Sequence, residues 1–456
     1  MAVTLLPGAR VHIVGIGGAG MSGLARLLAE SGLIVSGSDA TSSALLDELS
    51  RQGIEVHEGH AASNVGASEV VMWSPAVAPD NVELVEAKRR GALLLTRSEV
   101  LRELALRQRV VGLTGTHGKT TATSMMVHVC QAAGRDDSRL LGAAVLGIGA
   151  NGHYGHDDLI LEVDESYGTF GLLRPYALGV LNIEADHLDH YGTLENLETA
   201  FAALMERTSG PVVVWLDDDG ARRVSTTVAR AVLSVGTGVD AQWTVRNVEL
   251  ARQSSSFELV SSSEQLKIGL RVTGHHNVAN AAVVAVMAIE LGVSTGAVQR
   301  GLGNFQGAPR RFQFLKRWGS ADVYEDYAHL PGEIIATLRA TKSAGYERIT
   351  AVFQPHRVTR TSNLLSSFAT AFDGATEVIV TNIYDAGEAN PLSLTGEIVA
   401  NAIRGVNQSS RTVYAPTFES VREELERVRD TSDVILLLGA GDIATVAQSL
   451  DSGSGA

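Results

Sequence analysis

The sequence predicts an α/β protein of three domains. Three observations carry this. Apolar strand-like runs alternate with helical segments along most of the chain. The pattern strand, glycine-rich loop, helix begins twice, at "VHIVGIGGAGMSG" and again at "RVVGLTGTHGKTT". A Gly/Pro-punctuated stretch, "GNFQGAPRRFQ", then separates a last run of strands and helices. A chain of 456 residues also exceeds what one core usually organises.

Each element follows from its own residues. Between residues 10 and 107 the strands are "VHIVGI", "LIVSGSD", "EVVMWSPAV" and "ALLLT", the rhythm of βαβ units on a parallel sheet. The helix "SEVLRELALRQR" closes this Rossmann-like N-terminal domain, residues 1–107. The central domain, residues 108–307, is of P-loop type with a mixed sheet. Its strands are "RVVGLT", "DLILEVDES", "YALGVLNI" and "PVVVWLDD", followed by "QWTVRNVEL", "SSFELVSSS" and "QLKIGLRVTG", which alternate like antiparallel strands. "HHNVANAAVVAVMAIELG" reads as a helix with a small-residue face. Residues 308–456 form a second Rossmann-like domain on "ADVYEDYAH", "RITAVFQP", "EVIVTNIY" and "DVILLLGAG".

Composition narrows the function. A net charge of −14 argues against duplex nucleic acid, whose binding rests on clustered Lys and Arg. A single cysteine, Cys130, excludes an internal disulfide framework and any cysteine-cluster metal site. The N-terminus lacks a basic secretory leader, and no apolar run reaches the ~18 residues of a membrane span. The expectation is a cytoplasmic protein without a membrane or nucleic-acid partner.

The first loop carries Gly15, Gly17, Gly18 and Gly20, with Asp39 after the next strand. Alone, that spacing suggests a dinucleotide: a diphosphate on a helix N-terminus and a ribose held by the carboxylate. The second loop changes the reading. "GTHGKTT" supplies Gly115, Thr116, His117, Gly118, Lys119, Thr120 and Thr121. Backbone N–H groups there wrap phosphates, Lys119 reaches the terminal phosphates and the Thr120 hydroxyl meets Mg²⁺. The spacing departs from the usual one, since Leu113 stands where a first glycine is expected. A chain with both loops suits a nucleotide-linked substrate plus ATP better than hydride transfer.

Two acid-rich strand ends follow: Glu162, Asp164 and Glu165, then Glu184, Asp186, His187, Asp189 and His190. Oxygen donors with an occasional imidazole suit Mg²⁺ bound along with phosphates. Beyond the second boundary, Arg310 and Arg311 are candidates for neutralising phosphoryl charge, and Arg357 with Arg360 for gripping a carboxylate.

These residues together resemble the Mur ligases, the ATP-dependent amide ligases of peptidoglycan precursor synthesis. The resemblance runs from about residue 10 to about 445, through "GIGGAGMSGLA", "GTHGKTT", "EVDES", "NIEADHLD", "HNVANA", "GAPRRFQ", "EDYAHLP" and "FQPHRVTRT". Within that family it is nearest the member that adds the first amino acid. The resemblance implies ATP and Mg²⁺ as cofactors and UDP-N-acetylmuramate and L-alanine as partners, in a monomer or weak dimer of the bacterial cytoplasm. It implies Gly15, Gly17, Gly18 and Gly20 under the UDP diphosphate, with Asp39 towards the uridine. Thr120, Glu162 and His187 fall on metal-associated positions. His276 and Asn280 fall on adenine contacts, Arg311 and Asp326 on nucleotide-end contacts, and Arg357 and Arg360 on the amino-acid carboxylate. His187 or His329 would take the amine proton. The implied reaction passes through an acyl phosphate. Departures from the family pattern are Tyr167 in the acidic motif and Glu325, Ala328, Leu330 and Gly332 around His329. The competing readings are a ligase adding a preformed tripeptide to the same sugar, a folylpolyglutamate synthase-type enzyme, against which the first domain argues, and a non-catalytic nucleotide-binding paralogue.

Overall fold

The computed structural model describes residues 5–74, 77–165, 169–185, 188–406 and 410–450. It is a three-domain α/β structure built on three sheets. By its contacts the chain forms two compact units, Met1–Glu249 with Ser255–Gln306, and Leu250–Ser254 with Gly307–Ala456.

The first unit holds two sheets. The N-terminal one contains β1 (Arg10–Val14), β2 (Ile34–Asp39), β3 (Glu55–Glu58), β4 (Val70–Trp73) and β5 (Leu93–Thr96), in the order β3-β2-β1-β4-β5. All its pairings are parallel. The order reverses beside β1, so a crevice opens at the end of β1 where the glycine-rich loop begins.

The central sheet has ten strands: β6 (Val110–Thr114), β7 (Ser138–Leu140), β8 (Gly152–His153), β9 (Leu159–Glu162), β10 (Ala177–Val180), β11 (Val212–Trp215), β12 (Leu233–Gly236), β13 (Trp243–Leu250), β14 (Ser255–Val260) and β15 (Gln265–Leu270). Their order is β15-β14-β13-β12-β11-β10-β6-β9-β7-β8. β6 and β10 are buried along their whole length, as apolar parallel strands covered on both faces must be. β15 alternates exposed and buried residues, the mark of a sheet with one wet face. The antiparallel expectation holds for β14 on β15 but not for the inner side of β13, which runs parallel to β12. Period-two alternation reports a half-exposed strand and carries no information about its neighbour's direction.

The two sheets of this unit share one apolar cluster, in which Leu24 and Leu28 join Leu140 and Leu161. The helix Ala19–Glu30 lies against β8. A Cβ on Gly152 would stand 1.8 Å from the Gly23 carbonyl oxygen, so only glycine permits this approach. Buried Arg26 donates to Asn151 Oδ1 at 2.7 Å, and Asn151 donates to the Ala19 carbonyl at 2.6 Å.

The second unit holds β16 (Gln313–Trp318), β17 (Ala321–Asp326), β18 (Ile349–Phe353), β19 (Glu377–Val380), β20 (Arg411–Tyr414) and β21 (Val434–Leu438), ordered β16-β17-β21-β18-β19-β20. Only the edge strand β16 is antiparallel to its neighbour. Separate apolar clusters fill its two faces, one around Phe353 and Phe368, the other around Trp318 and Leu437. Among the described residues no helix is long and apolar enough to cross a membrane.

Candidate active site

In the N-terminal sheet, Gly15 takes a φ of +79°, and its Cβ position is blocked by the Ser74 side chain at 2.9 Å. The Gly15 and Ile16 amides donate to the Ser38 carbonyl, which bends the chain off β1. Gly17 donates its amide to Asp39 Oδ2 at 2.8 Å. The carboxylate at the end of β2 thus props the loop itself. The helix then starts after Gly18, with no side-chain cap and no acidic residue in its first turn. Its first amides are open to an anion.

The second loop joins β6 to the helix Lys119–Ala132. Leu113 is fully buried in β6, and a Cβ on Gly112 would meet Val163 at 2.8 Å. Gly112 is therefore a packing glycine of the strand, and the phosphate loop proper begins at Gly115. Gly115 has φ +146° and Gly118 has φ +83°. The loop is braced by Asn182, which sequence reasoning missed. Asn182 Oδ1 accepts from the His117 amide at 2.7 Å, its Nδ2 donates to the His117 carbonyl at 3.0 Å, and its own carbonyl accepts from the Thr116 amide at 3.1 Å. The Thr116 hydroxyl accepts from the Glu184 amide at 2.8 Å. Thr121 follows in the first helical turn.

Lys119 Nζ donates to the carbonyls of Gly115 and Thr116 at 2.8 and 3.1 Å, and to both Glu165 oxygens at 3.1 and 2.8 Å. Burial raises the Glu165 pKa above its ordinary value, and Lys119 pulls it back. The Thr120 hydroxyl lies 3.0 Å from each Glu162 oxygen, and Glu162 also accepts from the Gly142 amide at 2.8 Å. The structure thus pairs each loop side chain with one carboxylate of the "EVDES" strand end. Among the described residues no group of three His, Cys, Asp or Glu side chains converges as a ready metal cage. His187 and Tyr167 lie outside the described residues.

A cleft beside this loop is lined by Leu181, Asn182, Trp215, Asp217, His276 and Asn280. Both expected adenine contacts are on it. Trp215 and Asp217 were not singled out, although the end of an apolar strand in "VVVWLDD" was the available signal. Asn280 also touches the loop, since its Oδ1 would be 2.9 Å from a Cβ on Gly118.

In the second unit, Arg310 has φ +58° and turns inward. It donates to Glu325 Oε1 at 2.6 Å and to the carbonyls of Gly439 and Gly441, each at 2.8 Å. It is a scaffold residue. Its neighbour Arg311 is exposed, with its guanidinium carbon 5.7 Å from the centre of the Tyr327 ring. Buried Asp326 accepts from the amides of Phe312 and Ala328 at 2.7 and 2.8 Å, so it holds the "RRF" turn against the "YAHL" turn. Burial raises its pKa.

His329, His356, Arg357 and Arg360 come together at the ends of β17 and β18. The rings of His329 and His356 are 5.8 Å apart, and His356 stacks on Tyr384. Arg360 Nη1 is 3.2 Å from His356 Nδ1. Arg357 has φ +68° and faces Glu388 at 3.6 Å. Arg360 makes no ion pair with a carboxylate among the described residues. Burial, then the cations around it, pushes His356 down to about 4. Glu333 accepts from the amides of His329 and Leu330, so a leucine at that position still leaves the following helix start capped.

Comparison with known proteins agrees with this architecture. Residues 10–109 match the family description "Mur ligase family, catalytic domain", 113–288 "Mur ligase middle domain", and 310–441 "Mur ligase, glutamate ligase domain". A UDP-N-acetylmuramate–L-alanine ligase from Thermobifida fusca is 40% identical over 449 residues, covering 95% of this chain and 94% of that one. One from Anaeromyxobacter is 37% identical, covering 97% of each. The crystal structure of the UDP-N-acetylmuramate–alanine ligase of Thermotoga maritima superposes with a TM-score of 0.80 at 29% identity, over 97% of this chain and 98% of that one.

Proposed function

The chain belongs to the Mur ligase family, and from that membership we propose that it joins L-alanine to the lactyl carboxylate of UDP-N-acetylmuramate, with ATP converted to ADP and phosphate. The observation that carries this is end-to-end similarity to L-alanine ligases, at 35–40% identity in the relatives compared.

A carboxylate is a poor electrophile. Transfer of the γ-phosphoryl group onto it gives an acyl phosphate, which the neutral amine of L-alanine attacks. The tetrahedral intermediate collapses to the amide and phosphate leaves. Carboxylate and triphosphate repel, so the residues in this reading chiefly neutralise and position charge. The Thr116 and His117 amides are held by Asn182, so the loop amides from Gly118 to Thr121 cradle the phosphates. Lys119 carries the positive charge for the transferred group, and the incoming triphosphate competes with Glu165 for it. The hydroxyl of Thr120 and the carboxylate of Glu162 are hard oxygen donors already within 3.0 Å of each other. That donor pair fits Mg²⁺, which prefers phosphate and water for its remaining positions. When bound, Mg²⁺ neutralises phosphate charge, and His187 is its further candidate ligand. His276 and Asn280 face the adenine, Arg311 the nucleotide's phosphate end, and Asp326 keeps Arg311 in place.

Arg360, with no acidic partner among the described residues, takes the amino-acid carboxylate together with Arg357. His329 is suited to receive the amine proton. Burial lowers its pKa, so the imidazole is neutral near pH 7. The Tyr327 carbonyl 3.0 Å from Nδ1 can only accept, which puts the ring proton on Nδ1 and leaves Nε2 as a base. Work in the cytoplasm as a monomer or weak dimer belongs to the same proposal.

Phosphate release with ATP and UDP-N-acetylmuramate tests the reading, with L-alanine, glycine, L-serine and a muramyl tripeptide offered in turn. L-alanine is the expected acceptor. Release with the tripeptide alone, or with none of them, refutes it.

A further inference from the structure

Arg97 belongs to no motif that pointed to function. It is the first residue of the helix Arg97–Ala105, which follows β5. Its Nε is sealed from solvent and makes no hydrogen bond among the described residues. Its Nε and Nη2 lie 3.4 and 3.6 Å from where a Cβ on Gly20 would stand. Gly20 is in the first turn of Ala19–Glu30, immediately after the glycine-rich loop.

This is an unfavourable place for a cation. The first amides of Ala19–Glu30 carry partial positive charge, and no acidic side chain in that turn offsets it. Arg97 also opens its own helix, whose first turn is already capped by the Glu99 carboxylate. Burial pushes its pKa below the ordinary arginine value, opposed through space by Asp164 and Glu162. A largely desolvated guanidinium beside a helix start is stabilised further when an anion accepts its hydrogen bond. The capping network fixes the helix that carries it: Thr96 and Glu99 cap each other, and Ser98 Oγ lies 3.1 Å from Thr169 Oγ1. The guanidinium is therefore presented by rigid elements on both sides.

We propose that Arg97 is the side-chain cation of the nucleotide-sugar diphosphate site, donating its unpaired Nε–H to a diphosphate oxygen that the first amides of Ala19–Glu30 bind from the other side. The proposal rests on UDP-N-acetylmuramate being the ligand of that loop. A diphosphate is favoured over the lactyl carboxylate because Arg97 sits against the helix start itself, where the tightest anion site lies.

The test uses the full-length protein with Arg97→Met and Arg97→Lys. In steady-state assays, Arg97→Met should raise the KM for UDP-N-acetylmuramate about ten- to hundredfold, the range of one charged hydrogen bond. Its kcat and its KM for ATP should stay within about threefold of the unsubstituted protein. Arg97→Lys should recover part of the lost affinity. A fall in kcat with unchanged KM for the UDP-sugar would assign Arg97 to the reacting carboxylate and overturn the proposal. An equal rise in KM for ATP, or a full loss of folding in both variants, would mark Arg97 as scaffold and overturn it too. If the unsubstituted protein fails to turn over UDP-N-acetylmuramate, the activity itself is misread, which is a separate failure.

Discussion

Replacing Lys119 by methionine tests the phosphate loop through stability as well as through turnover. Lys119 is 13% exposed and Glu165 only 1%, with the two Nζ–Oε distances at 2.8 and 3.1 Å. The variant leaves a buried carboxylate without its cation, a change that typically costs about 3–5 kcal/mol. Protonation limits that loss. Protonating a carboxyl of ordinary pKa 4.5 takes about 5 kcal/mol at pH 8 and about 1.4 kcal/mol at pH 5.5. In the variant the folded pKa of Glu165 rises further above its unfolded value. Its stability is then retained at low pH and lost as pH rises through the folded pKa. Urea melts at pH 5.5 and pH 8 should therefore show a deficit of about 1 kcal/mol at the lower pH and about 3–5 kcal/mol at the higher. Adding Glu165→Gln should remove most of the pH dependence, while phosphate release stays absent in both variants. An equal deficit at both pH values, or no relief from Glu165→Gln, would show that Lys119 does not balance a buried charge. Normal turnover in Lys119→Met would refute its phosphoryl role.

Three further outcomes are expected. Arg360→Ala should raise the KM for L-alanine about tenfold or more, the scale of a charged hydrogen bond, and leave that for ATP nearly unchanged, read from initial rates. Gly152→Ala puts a methyl group 1.8 Å from the Gly23 carbonyl, so it should destabilise the first unit by about 1–3 kcal/mol or more in a denaturant melt. His356 titrates near 4, below its unfolded value, so folding stability should decline as pH falls from about 6.5 towards 4. His356→Gln should flatten that acid limb, and the KM for L-alanine should show no break from His356 between pH 6 and 8.

The linear chain was informative wherever a function demands a residue type at fixed spacing. The two glycine-rich loops, the lysine–threonine pair after the second and the "HRVTR" cluster were all readable, because local backbone geometry and a short reach define them. Apolar runs such as "VVVW" and "VILLL" identified buried parallel strands by composition alone. Weakly patterned edge strands such as Glu55–Glu58 and Arg411–Tyr414 were not evident, since burial at an edge is partial and their alternation is poor.

Other assignments needed the folded chain, because they depend on residues distant in sequence. Gly112 became a packing glycine only once Val163 was found across from it. Asn182 became the brace of the phosphate loop only when β10 was placed beside β6. Of the tandem arginines, the φ of +58° and four carbonyl or carboxylate partners turned Arg310 inward and left Arg311 exposed, a difference no spacing encodes. Arg97 is the extreme case. Its residue type and neighbours are ordinary, and its importance comes from a guanidinium whose Nε is sealed from solvent with no hydrogen bond among the described residues, against a helix that starts 78 residues earlier. Sequence by itself determined the family chemistry, since phosphate loops and carboxylate clamps are local motifs. Tertiary structure alone decided which charges are balanced within the protein and which are left for a ligand, because that balance is a property of burial and distance.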